Sequence, residues 1–172
     1  KTGQSVSLLR DILEYFNKSK SDSTLWLDIK DSDFEYEIMD LIQEYDLSKN
    51  VVFFTWTPQI VFALEKAQDD VGVSIPVYLS YLRSDAFLSG LYNKFSTLHR
   101  YVFLNKKTYK SVDKKYNHGY ATIYFDTQGL PEDLVKALLS TGGGVCLSAK
   151  RTTKEFVWAK EAGLQTVVFG AL

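Results

Sequence analysis

The sequence predicts an α/β fold with a mainly parallel sheet, of the (β/α) barrel kind and incomplete within this chain, and three observations carry that expectation. Segments with apolar residues at helical spacing alternate with short apolar runs along the whole 172 residues. No linker, internal repeat or low-complexity tract interrupts them, so residues 1–172 read as one domain. Most of the apolar runs also have one aliphatic face and one face of aromatic and polar residues. A sheet covered by helices on both faces should be apolar on both, whereas barrel strands pack helices outside only and can point polar groups inward.

The elements follow in order. Ser5 to Lys18 places Leu9, Ile12, Leu13 and Phe16 on one helical face. "TLWLDIKDS", Thr24 to Ser32, is the first strand, with Leu25, Leu27 and Ile29 opposing Trp26, Asp28 and Lys30. Phe34, Ile38, Leu41, Ile42 and Tyr45 mark the next helix, and "NVVFFTW" the second strand. Thr57 and Pro58 start a helix, because proline suits the first helical position, where its missing N–H costs nothing; Ile60, Val61, Leu64 and Ala67 continue it. "IPVYLSY" is the third strand, Asp85 to Tyr92 a short helix, and Phe95 to Asn117 shows no clear pattern. "ATIYFD" is the fourth strand, Pro131 to Ser140 a helix and "GVCLSA" the fifth strand. Thr153 to Ala162 is a helix capped by Gly163, and "TVVFG" is the sixth strand.

Facial alternation decides between barrel and open sheet. Val77 and Leu79 oppose Tyr78 and Ser80; Ala121, Ile123 and Phe125 oppose Thr122, Tyr124 and Asp126; Val145, Leu147 and Ala149 oppose Cys146, Ser148 and Lys150. With the first strand, four of six expected strands share the pattern. A TIM-type barrel closes with eight strands in roughly 250 residues, so six would leave it open. The chain starts at Lys1 and its only methionine is Met39, so it is expected to be part of a longer product that supplies the remaining strands. The alternative is an open parallel α/β sheet that binds a small molecule at its strand ends.

Bulk properties narrow the function classes. A net charge of -1 gives no global case for a nucleic-acid partner. The single cysteine, Cys146, excludes an internal disulfide framework and a cysteine-built zinc site. No apolar stretch approaches the ~18 residues of a bilayer span, and no secretory leader is evident.

The quoted strand, its helical leader "SLLRDILEYF", the segment "FFTWTPQIVFALEKA" and the tail "TTKEFVWAKEAGLQTVVFGAL" together resemble the glycerophosphodiester phosphodiesterases and the wider phospholipase-C-like barrel superfamily. In that family the strand ends in an acidic residue, any residue and a lysine, matched here by Asp28 and Lys30. The resemblance implies metal-dependent hydrolysis of glycerophosphodiesters or phospholipid headgroups, that is, an enzyme of lipid metabolism. Asp28 would be a ligand to a divalent cation, Mg²⁺ or Ca²⁺, and Lys30 a catalytic residue offsetting phosphate charge in the transition state. The family's His-Arg-Gly motif, Glu-x-Asp pair and second catalytic histidine would precede Lys1, so this chain alone is expected to be inactive. Adding the family's three early strands to six gives nine, so one of the six is not expected to belong to the barrel.

Barrel enzymes place their chemistry at the C-terminal ends of strands. That geometry brings Trp56, Ser80, Tyr81, Arg83, Asp126 and Lys150 near the mouth, of which Trp56, Arg83, Asp126 and Lys150 are candidate substrate-binding residues. His99 and His118 are expected to be non-catalytic, the latter because it precedes a strand. "TGGGV", Thr141 to Val145, follows a helix and opens a strand; a phosphate cradle has the reverse order, so this is read as a helix cap and turn. The five lysines of "NKKTYKSVDKKYNHG" read as a solvated face, with an anionic membrane surface as the alternative partner. The rival functional class is a non-catalytic barrel remnant acting as a binding module.

Overall fold

The computed structural model describes residues 8–80, 82–83, 101–104, 121–124, 130, 132–149 and 153–169. The first apolar stripe folds as α1, Leu9–Ser19, with Leu13 fully buried, and leads into β1, Leu25–Asp28. The second stripe is α2, Glu35–Glu44, burying Met39 and Ile42 before β2, Val51–Thr55. Proline opens α3, Pro58–Val71, as expected, and Gly72 ends it at φ 70°, a left-handed conformation that suits a residue without Cβ. Then come β3, Val77–Ser80; β4, Leu82–Arg83; β5, Tyr101–Leu104; and β6, Ala121–Tyr124. The chain ends in α4, Glu132–Ser140; β7, Gly144–Ser148; α5, Thr153–Glu161; and β8, Gln165–Phe169.

Five strands form an all-parallel sheet in the order β1-β2-β3-β7-β8. Each new strand joins the same side of the growing sheet, so the order never reverses. Right-handed crossovers in one direction put their helices on one face, and the packing agrees. Leu13, Met39, Leu64, Leu134 and Ala159, one from each helix, share a single buried cluster with Leu27, Phe53, Leu79 and Leu147 from the sheet. The odd-numbered aliphatic face of β1 to β3 is thus the helix-covered one. The opposite face carries a separate small cluster of Val52, Tyr78 and Cys146, flanked by Phe54 and Val167.

This is the α/β architecture with a parallel sheet that the alternation predicts. Among the described residues the sheet is open, because β1 and β8 each pair along one edge only. Singly wound order and, among the described residues, helices on one face are barrel-like, and the strand-order reversal of a doubly wound sheet is absent from the five strands.

Of the six expected strands, five lie in this sheet and one does not. "ATIYFD" contributes Ala121–Tyr124 to a second parallel sheet of order β4-β6-β5, alongside Leu82–Arg83 and Tyr101–Leu104. Alternation reports that one strand face is buried but not which strand lies next to it, and so it could not assign β6 to a sheet. Tyr101–Leu104 lies within the stretch that showed no pattern. The expected helix at Asp85 to Tyr92 lies outside the described residues. Among the described residues no helix is long and apolar enough to cross a membrane.

Candidate functional site

Side chains at even-numbered positions of β1 to β3 point away from the helices, and their C-terminal halves build a cavity of about 410 Å³. Trp26 and Asp28 come from β1, Phe54 and Trp56 from β2 and the residue just past it, Ser80 from the end of β3, Cys146 from β7, and Val167 and Phe169 from β8. Parallel register aligns them: Asp28 lies opposite Phe54, Ser80 opposite Cys146, and Cys146 opposite Val167. Phe54 and Trp56 meet edge to face at 5.9 Å and 84°. Trp26 packs against Tyr78 with ring centroids 5.3 Å apart.

The N-terminal side of this face is closed. Tyr78 reaches over Gly144, which has no side chain, and its hydroxyl donates to Gln165 Oε1 at 2.6 Å. Burial, and then the Cys146 thiol, raise the Tyr78 phenol above its ordinary pKa. Burial alone pushes the Cys146 thiol up to about 12. At neutral pH both groups are therefore uncharged. Ser80 is 1% exposed, and its Oγ has no hydrogen-bond partner among the described residues.

Asp28 and Lys30 stand at the rim. The ladder continues one residue past β1, with Ile29 N donating to Phe54 O at 2.8 Å, which fixes the Asp28 backbone. Lys30 Nζ lies 2.6 Å from Asp28 Oδ2, with the two side chains 50% and 44% exposed. A pair so exposed contributes on the order of 0–1 kcal/mol to stability, so holding the fold together does not account for it. The loop behind Lys30 is held by the Asp33 N–H, which donates to Glu35 Oε2 at 2.9 Å.

The structure brings Asp28 and Trp56 together on the cavity, as expected. Lys30, expected on the same inward face, instead lines an adjoining groove of about 390 Å³ with Leu9, Ile29, Asp31, Phe34 and Glu37, sharing Asp28 with the cavity. The regular strand stops at Asp28, and strict alternation stops with it. For Arg83 the structure describes the β4 backbone only, and Tyr81, Asp126, Lys150, His99, His118 and the lysine-rich segment lie outside the described residues. Phe169 and Val167 were missed because "TVVFG" carries no charged residue to mark the inward face. Ser80 lies on the cavity, near the mouth where it was expected, whereas Trp26 and Cys146 were assigned to the inward face but not joined into a site.

Among the described residues no three His, Cys, Asp or Glu side chains converge as metal ligands would. Asp28 has an ammonium beside it and otherwise mostly hydrocarbon on its cavity side. A hard divalent cation takes about six oxygen ligands, and Asp28 supplies one carboxylate, so Mg²⁺ or Ca²⁺ held here would draw its other ligands from water, substrate or residues outside the described lining. No family model, curated protein or solved structure matches the chain, and the site has to be read from its own chemistry.

Proposed function

We propose that this chain is a phosphodiester-recognising part of a phosphodiesterase-type (β/α) fold, taking glycerophosphodiesters or phospholipid headgroups through Lys30. The observation that carries the reading is the Asp28–Lys30 pair at the C-terminal end of β1. It is half exposed, contributes little to stability, and sits where parallel α/β proteins present their chemistry.

Lys30 is a compact, donor-only cation, suited to the single negative charge of a phosphodiester. Asp28 holds the ammonium at the rim until substrate arrives. In a hydrolytic reaction the same ammonium would offset charge building on the phosphoryl oxygens. Hydrolysis further requires a nucleophile or base and an acid, and among the described residues no histidine is present to supply either. Recognition of the phosphodiester is accordingly the step that Asp28 and Lys30 support.

Titration with sn-glycero-3-phosphocholine, followed by NMR of the lysine ammonium groups, tests the reading. Saturable binding in the millimolar range is expected, lowered at least about tenfold by Lys30→Met and preserved or improved by Asp28→Asn, which frees the ammonium. Equal binding by wild type and Lys30→Met would remove Lys30 from the site. Release of 4-nitrophenol from bis(4-nitrophenyl) phosphate above background would show that the chain is itself a hydrolase.

A further inference from the structure

We propose that the cavity on the sheet face opposite the described helices is a binding site for a small uncharged ligand with a flat apolar body and one hydroxyl or carbonyl, which Ser80 receives. The site adjoins the Asp28–Lys30 pair but needs no phosphate, so it goes beyond the phosphodiester reading.

Ser80 supplies the directional contact. A buried hydroxyl without a partner is destabilising, and natural folds rarely leave one. Ser80 lines the cavity, is 1% exposed, and its Oγ is unpartnered among the described residues. A group entering from the cavity completes it, either donating to the hydroxyl or accepting from it.

The walls set the shape. Trp26, Phe54, Trp56 and Phe169 give aromatic surface on several sides, which favours a flat ring stacked or met edge-on. Trp26 and Phe169 remain 45% and 38% exposed, large apolar surface left uncovered that a ligand would bury. A volume of about 410 Å³ falls within the range of small-molecule sites.

The charge pattern sets neutrality. Asp28 is the single charged residue among the described lining, and Lys30 already neutralises it. Burial keeps Cys146 as a neutral thiol. An anion would find no counter-charge inside, and a cation would have to displace Lys30.

The test uses three probes of one shape: 1-naphthol, 1-methylnaphthalene and naphthalene-1-sulfonate. Binding is read from the indole N–H resonances, since Trp26 and Trp56 line the cavity while Trp158 packs against the helix-covered core and serves as an internal control. Expected are saturable, sub-millimolar binding of 1-naphthol, with shifts at Trp26 and Trp56 but not Trp158, and sulfonate binding at least about tenfold weaker. Ser80→Ala should weaken 1-naphthol about tenfold and leave 1-methylnaphthalene unchanged, because it deletes only the hydrogen bond. Val167→Phe, which narrows the cavity from its edge, should abolish binding of both neutral probes. Equal affinity of Ser80→Ala and wild type for 1-naphthol would overturn the proposal, as would undiminished binding by Val167→Phe or a preference for the sulfonate. Because no probe carries a phosphate, these failures are independent of the outcome at Lys30.

Discussion

Gly142, Gly143 and Gly144 stand in a row but answer different constraints. Gly142 ends α4 at φ 70° with open space around it, so alanine there costs only the left-handed backbone penalty, about 1 to 2 kcal/mol. A Cβ on Gly143 would lie 2.0 Å from the Val77 carbonyl oxygen, and one on Gly144 equally close to that of Gln165. Those obstacles are backbone and cannot move aside, so Gly143→Ala should lose about 3 kcal/mol or more in urea denaturation, clearly more than Gly142→Ala. A loss no larger than that of Gly142→Ala would mean that β7 does not approach β3 so closely. The cap was legible in "TGGGV" because a helix pattern ends there. The close approach was not, because it depends on strands distant in sequence.

Cys146 offers a second test at the scale of one residue. An ordinary thiol titrates near ~8.5, and burial pushes this one up to about 12. Its folded pKa is raised, so its contribution to stability is complete below the ordinary value and is lost as pH climbs toward the folded one. Between about pH 8 and about pH 10.5 the urea midpoint of wild type should fall more than that of Cys146→Ala, which has no thiol to release. Parallel falls would show that the thiol is not held neutral by the fold.

At the scale of elements, periodicity found the five helices among the described residues and all five strands of the main sheet, with ends displaced by a few residues. It worked because each helix buries one stripe against the same core. What it could not show is how the elements are tied to one another. Buried Gln68 near the end of α3 accepts from the Ile75 N–H just ahead of β3. Buried Thr141 accepts from Val77 N at 3.3 Å and donates to Leu138 O at 2.9 Å, pinning the end of α4 to the start of β3. Thr141→Val keeps the shape and removes both bonds, and should destabilise by about 1 to 2 kcal/mol in thermal or urea unfolding. No measurable loss would mean that α4 docks through its apolar residues alone. The Asp-x-Lys element was legible as a charged strand end, yet Lys30 left the expected face because the strand stopped two residues earlier.

For the whole molecule, winding direction decides what the sheet can do. Among the described residues the helices cover one face only, which leaves the aromatic face open to the proposed ligand, and two sheet edges are unpaired. Unpaired edges are normally covered, charged or closed into a barrel. Native-state hydrogen exchange distinguishes these cases. In an open sheet the central strands β2, β3 and β7, whose Phe53, Leu79 and Val145 are fully buried, exchange only on global opening. The edge strand β8, largely exposed along its length, then exchanges at least about tenfold faster, and β1 does likewise. If instead β1 and β8 are protected as strongly as β3, both edges have partners in solution, as a closed barrel requires. The aromatic face would then be a barrel interior, with its cavity opening at the end where Asp28 and Lys30 stand.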